Sequence, residues 1–384
     1  PQVFSKLSQL GAPLVHYKVC STLDSSPIAG SIGRAMELGV REFQPNHIPV
    51  LISAPLMRRY VCFGHLFAGM SDSVFRLDRH PVMAHHPVTP MAEADIGLHL
   101  GRQTNQIPMN LMNLESLANP DITFDAVIPA DCNTPSAVVI DGIDSASETA
   151  AGKLIWENRG NGRFVIGSQG IEYALVRHWQ STGAIDPLPP AKGIGNAGRI
   201  AVVSGSVSPT TAQQIEWSRG NGFECISFDA TTALGSDQDL MQQMESIVET
   251  ALKAISNGRD PLIYTAAGPD DPAVSRLNQA IKSSGRPASE VNQIIGTSLG
   301  KILYRIVDTA QLSRAIISGG DTSGYATQQL GIYALSALAP TIPGAAIFRA
   351  HAEGSMDGLE LALKGGQMGS YDYFGWVREG GGSV

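Results

Sequence analysis

This sequence predicts an α/β fold of two domains with mostly parallel sheets, and three observations carry the prediction. At 384 residues the chain is too long for one ordinary hydrophobic core. Short apolar runs alternate with segments of helical period, the pattern of strands joined by helices. Three of the later apolar runs end in glycine-rich turns, where a backbone without side chains can approach a ligand closely.

Taken in order, Pro1-Gln2-Val3-Phe4-Ser5-Lys6-Leu7 reads as the end of an amphipathic helix and, lacking an initiator Met, is expected not to be the native start. Leu14-Val15-His16-Tyr17, Val50-Leu51-Ile52 and Ala137-Val138-Val139-Ile140 read as strands of a first domain spanning 1–185. Pro187, Pro189, Pro190, Gly193, Gly195 and Gly198 crowd a stretch with little apolar period, so 186–198 is expected to be a linker and 199–384 the second domain. There, Arg199-Ile200-Ala201-Val202-Val203 is a strand running into Ser204-Gly205-Ser206-Val207-Ser208, with Ser208 as N-cap and Pro209 at the first helical position. Leu240, Met244, Ile247, Val248, Ala251, Leu252 and Ile255 recur at helical spacing between Ser236 and Asn257, with Gly258 as the stop. Pro261 to Thr265 reads as the next strand and Val291 to Val307 as another helix. Ala315-Ile316-Ile317 then leads into Gly319-Gly320-Asp321-Thr322-Ser323-Gly324, with a helix expected from Thr322, and Lys364-Gly365-Gly366-Gln367-Met368-Gly369 repeats the turn.

A helix starting after such a turn aims unpaired N–H groups at an anion, so three strand-end glycine turns point to a nucleotide's phosphates. The net charge of −8, with no dense Lys/Arg stripe, excludes a nucleic-acid surface. A hydrophobic share of 43% against 16% charged residues describes a compact chain. No apolar run reaches membrane-spanning length and no signal peptide opens the chain, so no membrane partner and a cytoplasmic location are expected. The four cysteines, Cys20, Cys62, Cys132 and Cys225, are too scattered for a disulfide frame or a zinc site.

Several motifs mislead. Gly193-Ile194-Gly195-Asn196-Ala197-Gly198 spells a dinucleotide fingerprint but precedes a strand instead of following one. Gly296-Thr297-Ser298-Leu299-Gly300 spells a nucleophile elbow but sits inside helical periodicity, where close helix packing explains the glycines better. There is no Gly-x-x-x-x-Gly-Lys-Ser/Thr loop. His80, His85 and His86 lie between prolines rather than at helical i, i+4 spacing, so substrate hydrogen bonding or a structural role is expected of them and no metal site. Lys18 and the run Cys20 to Ser26 could hold a polyhydroxy acid, the ammonium facing its carboxylate and Asp24 accepting from its hydroxyls. Equally, that run could cap a helix beginning near Ile28.

His16-Tyr17-Lys18-Val19-Cys20-Ser21-Thr22-Leu23-Asp24-Ser25, Gly64-His65-Leu66-Phe67 and His86-Pro87-Val88-Thr89-Pro90-Met91, followed by the three glycine turns, resemble the successive blocks of the four-carbon acid sugar kinase family. The match runs in order along nearly the whole chain. It implies a substrate-binding N-terminal domain, a nucleotide-binding C-terminal domain, and ATP-dependent phosphorylation of threonate, erythronate or a 3-oxo-tetronate. A branched 3-oxo acid such as 3-oxo-isoapionate is the alternative acceptor, and a non-catalytic nucleotide or sugar-acid sensor the alternative role. The resemblance implies ATP against Ser204, Gly205, Ser206, Ser208, Gly319, Gly320, Asp321, Thr322, Gly365 and Gly366. It implies the sugar acid near Lys18, Asp24, Arg34, His65 and His86, and a small-residue turn at Gly167-Ser168-Gln169-Gly170. Mg²⁺ would neutralise charge in the in-line transfer, through water held by Asp321, and domain closure would exclude water. A homodimer is a further expectation. The family's Asp-Asp-Phe-Thr-Gly block is not found, which places the expected general base upstream of residue 1 with Asp24 as the fallback. Gln367, Met368 and Asp321 depart from the family's usual Asn, Phe and Glu.

Overall fold

The structure is a computed structural model that describes every residue except Pro1, Ser71, Pro87, Asn133, Asn161, Ser383 and Val384, and the side chain of Asp321 also lies outside the description. The chain divides into two compact units, Pro1–Pro187 and Leu188–Val384.

In the first unit, the opening helix α1 (Gln2–Gln9) packs Phe4 against Tyr17, Phe43 and Phe164. The strands β1 (Val15–Lys18) and β2 (His47–Leu51) flank α2 (Ile32–Phe43). A small antiparallel sheet follows, β3 (Arg59–Cys62), β4 (His65–Met70) and β5 (Ser73–Arg76). Then come α3 (Ile96–Gly101), β6 (Met109–Met112), α4 (Leu114–Leu117), β7 (Ser136–Ile140), α5 (Ser145–Glu157), β8 (Phe164–Gly167) and α6 (Gly170–Ser181). The main sheet has the order β1-β8-β2-β7-β6 and every pairing is parallel. Its central strands β2, β7 and β8 are buried along their whole length because both faces are covered. Ile48, Val50, Val139 and Ile166 point toward α2 and α3, while Leu51, Val138, Ile140 and Val165 point toward α5 and α6.

The second unit contains β9 (Ile200–Ser204), α7 (Pro209–Gly220), β10 (Phe223–Ser227), α8 (Asp237–Ser256), β11 (Asp260–Tyr264), α9 (Pro272–Ser284) and α10 (Ala288–Ala310). It continues with β12 (Arg314–Ser318), α11 (Gly320–Gln329), β13 (Ile332–Pro340), β14 (Ala346–Ala352), β15 (Glu360–Lys364) and α12 (Tyr373–Glu379). The sheet order is β10-β11-β9-β12-β15-β14-β13, parallel as far as β15 and antiparallel for the last two pairs. Ser208 caps α7 by accepting from Thr211 N at 3.1 Å, and Ser236 caps α8 by accepting from Asp239 N at 3.1 Å. A Cβ at Gly296 would press on Tyr325 and one at Gly300 on the backbone of Ala326, so these glycines let α10 and α11 approach closely. Among the described residues no helix is long and apolar enough to cross a membrane.

Two local expectations change. The helix expected from Thr322 begins at Gly320, because Gly319 already makes the turn at φ +119°. Residues 193–198, expected within a linker, are fastened to the second unit: Ile194 N donates to Gly380 O, Ala197 N to Arg378 O, and the buried Arg314 to Gly195 O, all at 3.0 Å. A side chain at Gly193 would collide with the Gly381 carbonyl, so glycine here permits backbone-to-backbone packing, which composition alone reads as flexibility.

Candidate functional site

The three glycine turns of the second unit meet because their strands are neighbours. β12 lies between β9 and β15, and the last residues align as Ser204, Ser318 and Lys364 across the three strands. Gly205 N donates to Ser318 O at 3.1 Å and Gly319 N to Lys364 O at 2.9 Å, carrying the sheet ladder into the turns. The helices after β9 and β12 leave on opposite faces. Ile215 of α7 packs with Phe374 and Val377 of α12, whereas Ala326 and Leu330 of α11 join the core of α8 and α10. Adjacent parallel strands whose helices diverge leave a crevice at their carboxyl ends, the usual ligand position in open α/β sheets.

Small residues keep that crevice narrow at its base and open above. A Cβ at Gly205 would overlap Thr322 Oγ1, and one at Gly366 would overlap Ser206 Oγ, so each glycine permits two turns to touch. At Gly320 and Gly324 a Cβ would meet nothing within 4 Å. The first N–H groups of the ten-residue α11 have no intrahelical acceptor, and the helix dipole favours an anion there. Ser318 Oγ is buried and has no hydrogen-bond partner among the described residues. These features fit a phosphate chain.

Two residues outside the expected set complete this site. Lys364 is only 2% exposed, and its ammonium donates to Gly365 O (3.0 Å), Gly366 O (3.3 Å) and Thr211 Oγ1 (3.4 Å). Burial pulls its pKa down to about 7. Thr211 Oγ1 donates to Gly366 O at 2.9 Å and lies 3.0 Å from Ser206 Oγ, while Ser208 Oγ also reaches Gly366 O. The turn after β15 is thus held by α7's first residues from one side and by a buried cation from below. A lysine immediately before Gly-Gly was a legible signal; that it would be buried was not.

In the first unit the expected sugar-acid residues are distributed unevenly. Lys18 ends β1, exposed, near Glu172, whose carboxyl is held below its usual range against burial chiefly by its hydrogen bond to His16 at 2.8 Å and only last by Lys18. Asp24 is exposed and accepts from Thr22 Oγ1 at 2.8 Å. The Cys20 to Ser26 run does not cap a helix: α2 starts at Ile32, and its cap is Ser31, accepting from Arg34 N at 3.1 Å. Arg34 pairs with Glu37 one turn along α2, at 2.7 Å and exposed. His65 Nδ1 lies 2.9 Å from Phe63 O, and His86 Nδ1 accepts from Thr89 N at 3.1 Å, so each ring supports its own turn. His80 is buried and accepts from Val82 N and Met83 N. Ser168 Oγ, in the small-residue turn after β8, donates to Ile52 O at 2.8 Å and binds that turn to the end of β2. Asp141, fully buried at the end of β7, accepts from the N–H groups of Phe63 (2.7 Å), Gly64 (2.9 Å) and Leu114 (3.1 Å), fixing the β3–β4 hairpin to the main sheet.

In the first unit Arg59 is the residue the sequence did not single out. A two-stranded bridge with Ala54 places it against the residues that follow β2, with Ala54 N to Arg59 O at 2.9 Å and Arg59 N to Ala54 O at 3.2 Å. Its electrostatic neighbours include Cys20, Arg58 and Asp24, so it shares the carboxyl edge of the sheet with the run that follows β1.

Comparison with known proteins agrees with this division of labour. Residues 1–175 match the sugar-binding N-terminal domain family and residues 201–374 the nucleotide-binding C-terminal domain family. The chain is 43% identical over 381 residues to the 3-oxo-isoapionate kinase of Paraburkholderia graminis, covering 99% of this chain and 80% of that protein. It is 26% identical over 371 residues to a 3-oxo-tetronate kinase of Pseudomonas savastanoi pv. phaseolicola, covering 96% and 79%. A solved protein of Salmonella typhimurium LT2 has the same fold, with a TM-score of 0.69 at 22% identity over 97% of this chain and 82% of its own. With both domain families matched in order and a curated kinase 43% identical along its length, the chain belongs to the four-carbon acid sugar kinase family and is a sugar-acid kinase.

Proposed function

We propose that this kinase transfers the γ-phosphoryl group of ATP to a hydroxyl of a branched 3-oxo sugar acid of the 3-oxo-isoapionate type. The supporting observation is the identity of 43% to a 3-oxo-isoapionate kinase against 26% to a 3-oxo-tetronate kinase over a similar length. A 3-oxo-tetronate is the second reading, supported by several relatives of that name. Gly319 to Thr322 and the Gly365-Gly366 turn hold the phosphates through backbone N–H groups, and Lys364 supplies positive charge beneath them. Catalysis by such a site is positioning and charge stabilisation, since little covalent chemistry falls to the protein in phosphoryl transfer. Mg²⁺ carried in on ATP would be held mainly by phosphate and water. The ion would neutralise charge on the β- and γ-phosphates. Asp24 is the candidate within the chain for accepting the proton of the attacking hydroxyl.

The test is coupled ADP release against 3-oxo-isoapionate, 3-oxo-tetronate, threonate and erythronate. The highest kcat/KM is expected for 3-oxo-isoapionate. A higher value for 3-oxo-tetronate selects the second reading, and no ADP release with any acid would remove the substrate assignment altogether.

The nucleotide groups all follow Leu188, so a fragment beginning there is expected to bind ATP by calorimetry. A fragment beginning at Gly198 should bind more weakly and melt earlier. It lacks the 193–197 strap that receives the buried Arg314 and the end of α12. Equal stability of the two fragments would show the strap to be dispensable.

A further inference from the structure

Arg59 is a largely buried cation with no carboxylate paired to it among the described residues. Its Nη1 donates to three carbonyl oxygens, those of Met57 (3.1 Å), Arg58 (3.2 Å) and Gly69 (3.2 Å). Its Nε is buried and has no acceptor, and no hydrogen bond is made by Nη2 among the described residues. The chain's other well-buried arginines are treated differently. Arg314 pairs with Glu360 at 2.6 Å and Arg378 with Asp260 at 2.8 Å. Among the described residues, no carboxylate comes within ion-pair distance of Arg59.

An uncompensated charge in such a position is costly, and burial lowers the affinity of this guanidinium for its proton. The three carbonyls fix the plane of the group through Nη1, leaving the opposite Nε/Nη2 edge unused. Two parallel N–H donors on one edge match the two oxygens of a carboxylate. The residue stands beside the segment that follows β2, within electrostatic reach of Cys20 and Asp24 after β1, at the carboxyl side of the sheet where ligands of open α/β folds bind, and every ligand of the proposed class carries a carboxylate.

We infer that the Nε/Nη2 edge of Arg59 binds the carboxylate of the sugar acid, the role expected of Lys18 from the sequence. This rests on the sugar-acid reading above. Lys18, exposed at the end of β1 and near Glu172, is left as a peripheral charge.

The test uses the whole chain and two acceptors, the 3-oxo acid and its carboxamide, with ADP release as readout. Wild type is expected to favour the acid by about 100-fold in kcat/KM, since a site built for a charged partner rejects the analogue lacking it. Failure of wild type to phosphorylate any acid would refute the sugar-acid reading and not the placement of Arg59. Given turnover, Arg59→Met should raise KM for the acid by about 100-fold with KM for ATP unchanged, and should erase the preference for acid over carboxamide. Arg59→Lys should restore part of the loss, because a point charge makes one good contact where the planar fork makes two. A folded Arg59→Met protein that still prefers the acid overturns the inference. Should Arg59→Met fail to fold, the exposed Lys18→Met variant decides: loss of the preference there assigns the carboxylate to Lys18, and its retention supports Arg59.

Discussion

Lys364→Met is expected to weaken ATP binding by about 100-fold, or roughly 3 kcal/mol, the scale for removing one member of a buried charged contact. The ammonium holds the Gly365 and Gly366 carbonyls, so its loss both frees the turn and removes the positive charge under the phosphates. Its pKa of about 7 gives this prediction a pH signature. In the free protein Lys364 is about half protonated at pH 7, and a phosphate anion nearby favours the charged form. Binding therefore takes up a proton, by as much as about one near pH 8, and ATP affinity falls as pH rises above 7. Calorimetry in two buffers of different ionisation enthalpy measures this uptake, which Lys364→Met should abolish.

The free protein's stability follows the opposite course. Because the folded pKa lies below the unfolded one, the cost of burying the charged form is full below pH 7 and disappears as pH climbs toward about 10.5. Wild-type stability should therefore gain more than that of Lys364→Met over this interval in urea titrations. Parallel curves for the two proteins, together with unchanged ATP affinity, would exclude Lys364 from the site.

Gly320→Val should weaken ATP binding by about 100-fold while shifting the melting temperature by no more than about 2 °C. A Cβ at Gly320 touches nothing, and the residue begins a helix without a left-handed φ, so the fold has little reason to object. The space the valine fills is where a phosphate would meet the first N–H groups of α11. Gly205→Val should behave differently, because its side chain would strike Thr322 and force two turns apart, costing stability and nucleotide binding together. Calorimetry and thermal melts on the pair separate a ligand space from a packing space. Equal affinity in Gly320→Val would mean the phosphates lie elsewhere.

The strands, turns and helix starts of the candidate nucleotide site were legible because their signals are local. A strand, a glycine turn and a helix recur within a dozen residues at Ile200 to Thr211, where Ser208 caps the helix, and again around Gly319, where no side chain does. Ser208 capping α7 needs only its own sequence neighbours, and the period of α8 is written in its apolar residues. The sugar-acid side was less legible. Arg34, His65 and His86 were plausible by type, but one is engaged in a helix-surface pair and the two rings support their own turns. The β3–β5 hairpin sheet also went unread, its strands of four to six residues being too short and too half-buried to show a clean period.

By itself the sequence determined the α/β class, the existence of two units and the three glycine turns at strand ends, because propensity, capping and apolar period act over a few residues. Tertiary structure alone decided that Ser204, Ser318 and Lys364 end side by side, since strand order depends on which long-range pairings bury the most apolar surface. It likewise decided that residues 193–198 are a strap, that Lys364 lies buried beneath its turn, and that Arg59 has an unused edge and no carboxylate partner among the described residues. Burial and the absence of a partner are properties of everything that surrounds a residue, and no window along the chain contains them.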